Sequence, residues 1–311
     1  MTITTPVRRI AAVVTTVVAL ALALGAATAS AKQPRQYYLS LGDSYAVGYQ
    51  DSLGHTTLHG PANQLVKLAR KRGYRFTLVN FGCGGATTGS MLTQRDCPAK
   101  SRMPGAAGYP GKTQVQAAVA FIRRHPGKVG LVTISIGGND VDICLAAADP
   151  LGCVSHNMVA ATANLKEIVK RLRTAGGQTM QIIGSTYPDV ALGAWVRPAP
   201  FGDNRFTLAA ESVTAFRRMI NPGLRRAYGS VRAKFVDVTA ATGAYGPFVT
   251  TDLAPYGVIP VPVAKVCRLT FFCTQLGIHM TTPGYGIIAR LEANALVPVA
   301  VPVKTGNRKA G

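Results

Sequence analysis

The stretch Tyr37-Tyr38-Leu39-Ser40-Leu41-Gly42-Asp43-Ser44 decides how the rest of the chain is read. Its largely apolar run, closed by glycine, is too short for a helix and suits a strand buried on both faces. Ser44 therefore stands just past the carboxyl end of a strand, the edge where open α/β sheets gather their chemistry. Two further apolar runs, 76–81 and 129–136, read as strands in the same way. Each stops at glycines: Gly82-Cys83-Gly84-Gly85 after the first, and Gly137-Gly138-Asn139-Asp140 after the second.

Helical patterns lie between the strands. Pro61 opens a helix with Leu65, Leu68 and Ala69 on one face, and Gly73 ends it. The segments 113–124 and 155–174 repeat apolar residues at helical spacing. So does 207–228, where Pro222 predicts a kink. Strands at 178–184 and 231–238 and a closing helix at 283–294 complete the alternation. It predicts an α/β fold, a three-layer α/β/α sandwich around a parallel sheet of about five strands. The segment 239–275 shows little periodicity and is expected to form a long irregular loop on the substrate side. Within it, 258–272 with Phe271-Phe272 is the expected acyl pocket.

A serine hydroxyl is a poor nucleophile until a base takes its proton, and His279 is the candidate base. Acyl transfer also needs donors aimed at the developing oxyanion. The Ser44 and Gly85 amides and the Asn139 side chain are the candidates. Other chemistries fit worse. The G-x-S-x-G elbow fails because position 46 is Ala. Gly84 to Gly89 has phosphate-loop spacing, but Ser90-Met91 follows where Lys and a hydroxyl residue are required. The dinucleotide spacing fails at Thr87. His55 and His59 have no acidic companion, and the cysteines form no Cys-x-x-Cys pair, so neither metal nor cofactor is expected.

In this order, Gly42-Asp43-Ser44, Gly85, Gly137-Gly138-Asn139-Asp140 and His279 resemble the SGNH hydrolases, the GDSL family of esterases and lipases, in their secreted actinobacterial form. The resemblance runs from about residue 37 to 294. It implies the flavodoxin-like fold of that family, no cofactor, and carboxylic ester hydrolysis through an acyl-enzyme on Ser44. It also implies His279 as base and an oxyanion hole of Ser44, Gly85 and Asn139. One position departs from the pattern. The family's aspartate three residues before the histidine is Leu276 here. The Leu276 carbonyl is therefore the first choice to orient His279, and Gln275 the second. The substrate expected is an ester, a lipid before an acetylated polysaccharide. A non-catalytic lipid- or cell-wall-binding protein on the same scaffold is the rival, supported only by the absent aspartate.

Composition sets the context. Arg8 and Arg9, the apolar run 10–24 and Ala29-Ser30-Ala31 read as a signal peptide over 1–31. The domain is placed at 32–297, with a disordered tail at 298–311. Six cysteines after the cleavage site suit an oxidising compartment and a secreted or cell-wall-associated protein. They fall as Cys83 with Cys97, Cys144 with Cys153, and Cys267 with Cys273. Other connectivities are open, but three local bridges are the economical choice, each stapling a loop beside a site block, and the resemblance points the same way. Lys and Arg number 34 against 13 acids, a net charge of +21. Such a field suits an anionic membrane or cell-wall surface. The basic residues are scattered and no nucleic-acid motif accompanies them, so nucleic acid is not an expected partner.

Overall fold

A computed structural model describes residues 34–297; the expectations for 1–31 and 298–311 lie outside them. The chain enters through strand β1 (Gln36–Gly42) and a small hairpin of β2 (Tyr49–Gln50) and β3 (His55–Thr56). Helix α1 (Pro61–Lys71), strand β4 (Phe76–Asn80), and helices α2 (Thr88–Thr93) and α3 (Gln114–Arg124) follow. Strand β5 (Val129–Ser135), the long α4 (Pro150–Gly176) and β6 (Gln181–Ser185) come next. Then α5 (Arg205–Ala215), α6 (Asn221–Gly229) and β7 (Lys234–Val236) complete the sheet. Its five parallel strands lie in the order β4-β1-β5-β6-β7. This is the flavodoxin-like order, whose direction reverses between β1 and β5, so a crevice opens there beyond the strand ends.

Alternation along the strands sends side chains into two cores. Leu39, Leu41, Val132, Ile134 and Ile182 face α3, α4 and α6 through Val115, Ile122, Leu165, Val169 and Leu224. Tyr38, Leu131, Ile183 and Val236 face the other way, onto Leu65 and Ala69 of α1 and Ala289 and Ala293 of the last helix, α8 (Thr282–Ala295, numbered after α7 below). Each fully buried aliphatic side chain contributes about 1.5–3 kcal/mol, enough to fix strand register against a one-residue slip.

Two expectations are corrected. The segment 239–275 is not irregular. It contains an antiparallel hairpin, β8 (Thr250–Leu253) with β9 (Gly257–Pro260), and helix α7 (Val261–Leu269). The strands are too short to print a period on the sequence, and Pro262 enters the helix at its first turn, where its missing N–H costs nothing. The helix expected over 207–228 is interrupted by a π-turn, Phe216–Ile220, just ahead of Pro222. That turn absorbs the hydrogen bond the proline cannot make.

Candidate active site

Ser44 is held by a turn that the strand end forces. Gly42 has φ +131°, and a Cβ there would lie 1.9 Å from the Ser135 carbonyl oxygen. Only glycine passes so close to β5. The Asp43 N–H donates to Ser135 O at 3.0 Å, and Gln114 brackets Gly42, accepting from its N–H at 2.7 Å and donating to its carbonyl at 3.0 Å. The buried Asp43 carboxylate accepts from the Tyr45 N–H and the Tyr187 hydroxyl. It thus stabilises the turn, in a setting where burial pushes its carboxyl up to about 7.

Ser44 Oγ lies 2.8 Å from His279 Nε2, although the two residues are 235 apart in the chain. His279 arrives on the segment between α7 and α8. Its ring packs 4.6 Å from that of Tyr49 and 5.8 Å from that of Tyr45, whose hydroxyl donates to the carbonyl of Ile278.

The group facing the other imidazole nitrogen is Asp51. Its Oδ1 lies 2.9 Å from His279 Nδ1, and its Oδ2 accepts from the His279 backbone N–H at 3.0 Å. The expectation that Leu276 or Gln275 orients the histidine is therefore replaced. Leu276 is left-handed at φ 56° and packs into an apolar cluster, and Gln275 is exposed. Asp51 comes from the tip of the β2–β3 hairpin, far from the histidine in sequence. Room for its carboxylate exists because position 277 is glycine; a Cβ there would sit 2.4 Å from the Asp51 carboxyl carbon. Two sequence signals bear on it: an aspartate opening the turn Asp51-Ser52-Leu53-Gly54, and a glycine two residues before the base.

The donor loops are tied to each other. Asn139 follows β5 and lines the same cleft as Ser44. One hydrogen of its Nδ2 goes to the Ala86 carbonyl at 2.8 Å, leaving the other unused. Asp140 accepts from the Thr88 N–H at 2.9 Å and its hydroxyl at 2.6 Å. Gly85, at φ +82°, belongs to the loop so anchored and borders a second, polar cavity rather than the Ser44 cleft itself. The N–H groups of Ser44 and Gly85 donate to no group among the described residues.

Beside Ser44 opens an apolar cleft walled by Val141, Leu145, Leu151, Val154, Val190, Leu208, Phe216 and Ile220. None of residues 258–272, where an acyl pocket was expected, lines this cleft; its wall comes from the segments after β5 and β6 and from α4 and α5. Disulfides join Cys83 to Cys97, Cys144 to Cys153 and Cys267 to Cys273. Among the described residues no cluster of His, Cys, Asp or Glu could hold a metal, and no helix is long and apolar enough to cross a membrane.

A family model for the GDSL-like lipases and acylhydrolases matches residues 40–287, and the chain belongs to that family. No curated protein matches it. Among solved structures, phospholipase A1 from Streptomyces albidoflavus NA297 is similar at 16% identity, over 84% of this chain and 99% of that one, with a TM-score of 0.45. A variant of esterase AlinE4 shares 17% identity over 71% of this chain and 86% of its own, with a TM-score of 0.39. A carbohydrate esterase shares 12% over 85% and 69%, with a TM-score of 0.35.

Proposed function

We propose that this family member is a secreted serine esterase acting on lipid-like carboxylic esters. The observation that carries the reading is the chain of contacts Ser44 Oγ to His279 Nε2 to Asp51, set at the mouth of an apolar cleft. In it, His279 Nε2 takes the Ser44 proton as Oγ attacks the ester carbonyl carbon. Asp51 holds the Nδ1–H tautomer and stabilises the imidazolium that forms. The oxyanion is received by the Ser44 and Gly85 amides and the free Asn139 hydrogen. The imidazolium then protonates the departing alkoxide, leaving the acyl group on Ser44. Water, deprotonated by the same imidazole, releases the carboxylic acid and restores the serine. No step calls for a metal.

An acyl chain rather than acetyl fits the cleft, because an acetyl group would leave most of its apolar wall wet. An acetylated polysaccharide is accordingly the weaker reading. A non-catalytic role lost its one support when Asp51 took the place of the absent aspartate. Secretion is supported by the leader-like segment 1–31 and the paired cysteines. Hydrolysis of p-nitrophenyl esters from acetate to long acyl chains, in the presence of EDTA, tests the reading. Turnover rising from acetyl to medium chains is expected, with an organophosphonate labelling wild-type protein and not Ser44→Ala. Absence of turnover, or undiminished labelling of Ser44→Ala, overturns it.

A further inference from the structure

The β2–β3 hairpin does more than deliver Asp51. Its tip and the residues just after β3 leave two leucines in water, Leu53 at 53% and Leu58 at 52% exposure. Two exposed leucines are unremarkable on a large surface, but these stand two and seven residues after Asp51, whose carboxylate touches His279. The sequence that follows is strongly one-signed: residues 52 to 110 carry eight Lys or Arg and a single acid, Asp96, five of the basic residues lying in or just after α1. Of these, Arg102 ties the turn to the hairpin through its backbone carbonyl, which accepts from the Thr56 hydroxyl at 2.7 Å, while its own Nε is buried; Lys100 in the short turn Ala99–Ser101 is the exposed charge. The segment 103–108 beyond them is uncharged.

We propose that this hairpin and the Lys100–Arg102 turn dock the enzyme on the surface of an anionic phospholipid bilayer. The proposal rests on the esterase reading for its purpose, though not for its test. Leucines need an apolar medium to enter, and basic side chains need anionic groups at its boundary; a bilayer interface offers both within a few ångströms. An anionic polymer would satisfy the charges and leave the leucines in water, so the combination selects the bilayer. Docking there places Asp51, and through His279 the serine, near the surface from which an acyl chain must be drawn.

Ser44→Ala protein, which cannot consume the vesicles, is mixed with vesicles of phosphatidylcholine alone or of phosphatidylcholine with phosphatidylglycerol, and binding is read by co-sedimentation. Binding to the anionic vesicles, falling steeply with added salt, is expected, with little on the neutral ones. Leu53→Ser with Leu58→Ser in the same background should weaken it about tenfold, and Lys100→Glu should weaken it further. Thermal unfolding checks that each variant is folded. Equal binding to neutral and anionic vesicles overturns the proposal. So does binding unchanged by the leucine substitutions, which moves the contact to another exposed apolar residue, such as Ile143, Phe206 or Val258, or to a purely electrostatic attachment. Because binding is measured without chemistry, a protein that docks but hydrolyses no soluble ester refutes the esterase reading alone. One that hydrolyses soluble ester but does not dock refutes the docking alone.

Discussion

Asp51 holds the imidazole of His279, and Leu276 packs elsewhere. With the carboxylate 2.9 Å from Nδ1, Asp51→Asn removes the charge that stabilises the imidazolium and no longer enforces the tautomer. Turnover of p-nitrophenyl butyrate should fall by roughly a hundredfold to ten-thousandfold, with KM little changed. Leu276→Ala should keep most activity, since its side chain packs into an apolar cluster and Asp51 is the group that holds the ring. Asp140, Asp142 and Asp252, changed singly to Asn, should each cost far less than His279→Ala, because Asp140 is engaged with Thr88 and none of the three touches the histidine. A second residue speaks to stability. Glu292 is buried in the core beneath the sheet with Oε2 unpartnered, and burial pushes its carboxyl up to about 8. The folded state prefers it neutral, the unfolded state ionises it near 4.5, and its contribution is therefore full below that value and lost as pH rises toward 8. Asp43 and Asp189, both raised by burial to about 7, act in the same direction. Urea unfolding should show less stability at pH 9 than at pH 5, and Glu292→Gln should flatten part of that slope.

At the level of elements, the proposed esterase reading puts acyl preference in the cleft wall. Val190 stands on the turn after β6 with its side chain toward the cleft. Val190→Phe fills that space, so kcat/KM for a decanoyl ester should drop at least about tenfold while the acetyl ester changes little. The opposite wall begins at the 144–153 disulfide, where Cys144, Leu151 and Val154 border the same space. A loop of that length gives about 2.5 kcal/mol from chain entropy, so Cys144→Ser with Cys153→Ser should lower stability by about that amount in denaturant unfolding. Elements with a long period were legible from the sequence: the strands that deliver Ser44 and Asn139, and the amphipathic helices between them. The β2–β3 hairpin was not, because two-residue strands carry no alternation. The acid riding on it was hidden for that reason, and its tie to Gly277 exists only in three dimensions. The β8–β9 hairpin and α7 escaped similarly, since a four-residue strand and a proline-rich helix start resemble loop.

For the whole molecule, the parallel sheet explains why residues so distant in sequence meet at one edge. Every strand of that sheet ends on the same side, and the reversal between β1 and β5 opens the crevice into which Ser44 and Asn139 project. The four sequence blocks could be ordered from this logic alone; which side chain completes the relay could not. The 235 residues between Ser44 and His279 carry a consequence for how the protein is made. Amino-terminal segments leave the ribosome and compact first. If Ser44 and His279 act as proposed, Ser44 stands without its base for most of synthesis, and a nascent chain is expected to hydrolyse nothing until the segment bearing His279 has met the hairpin.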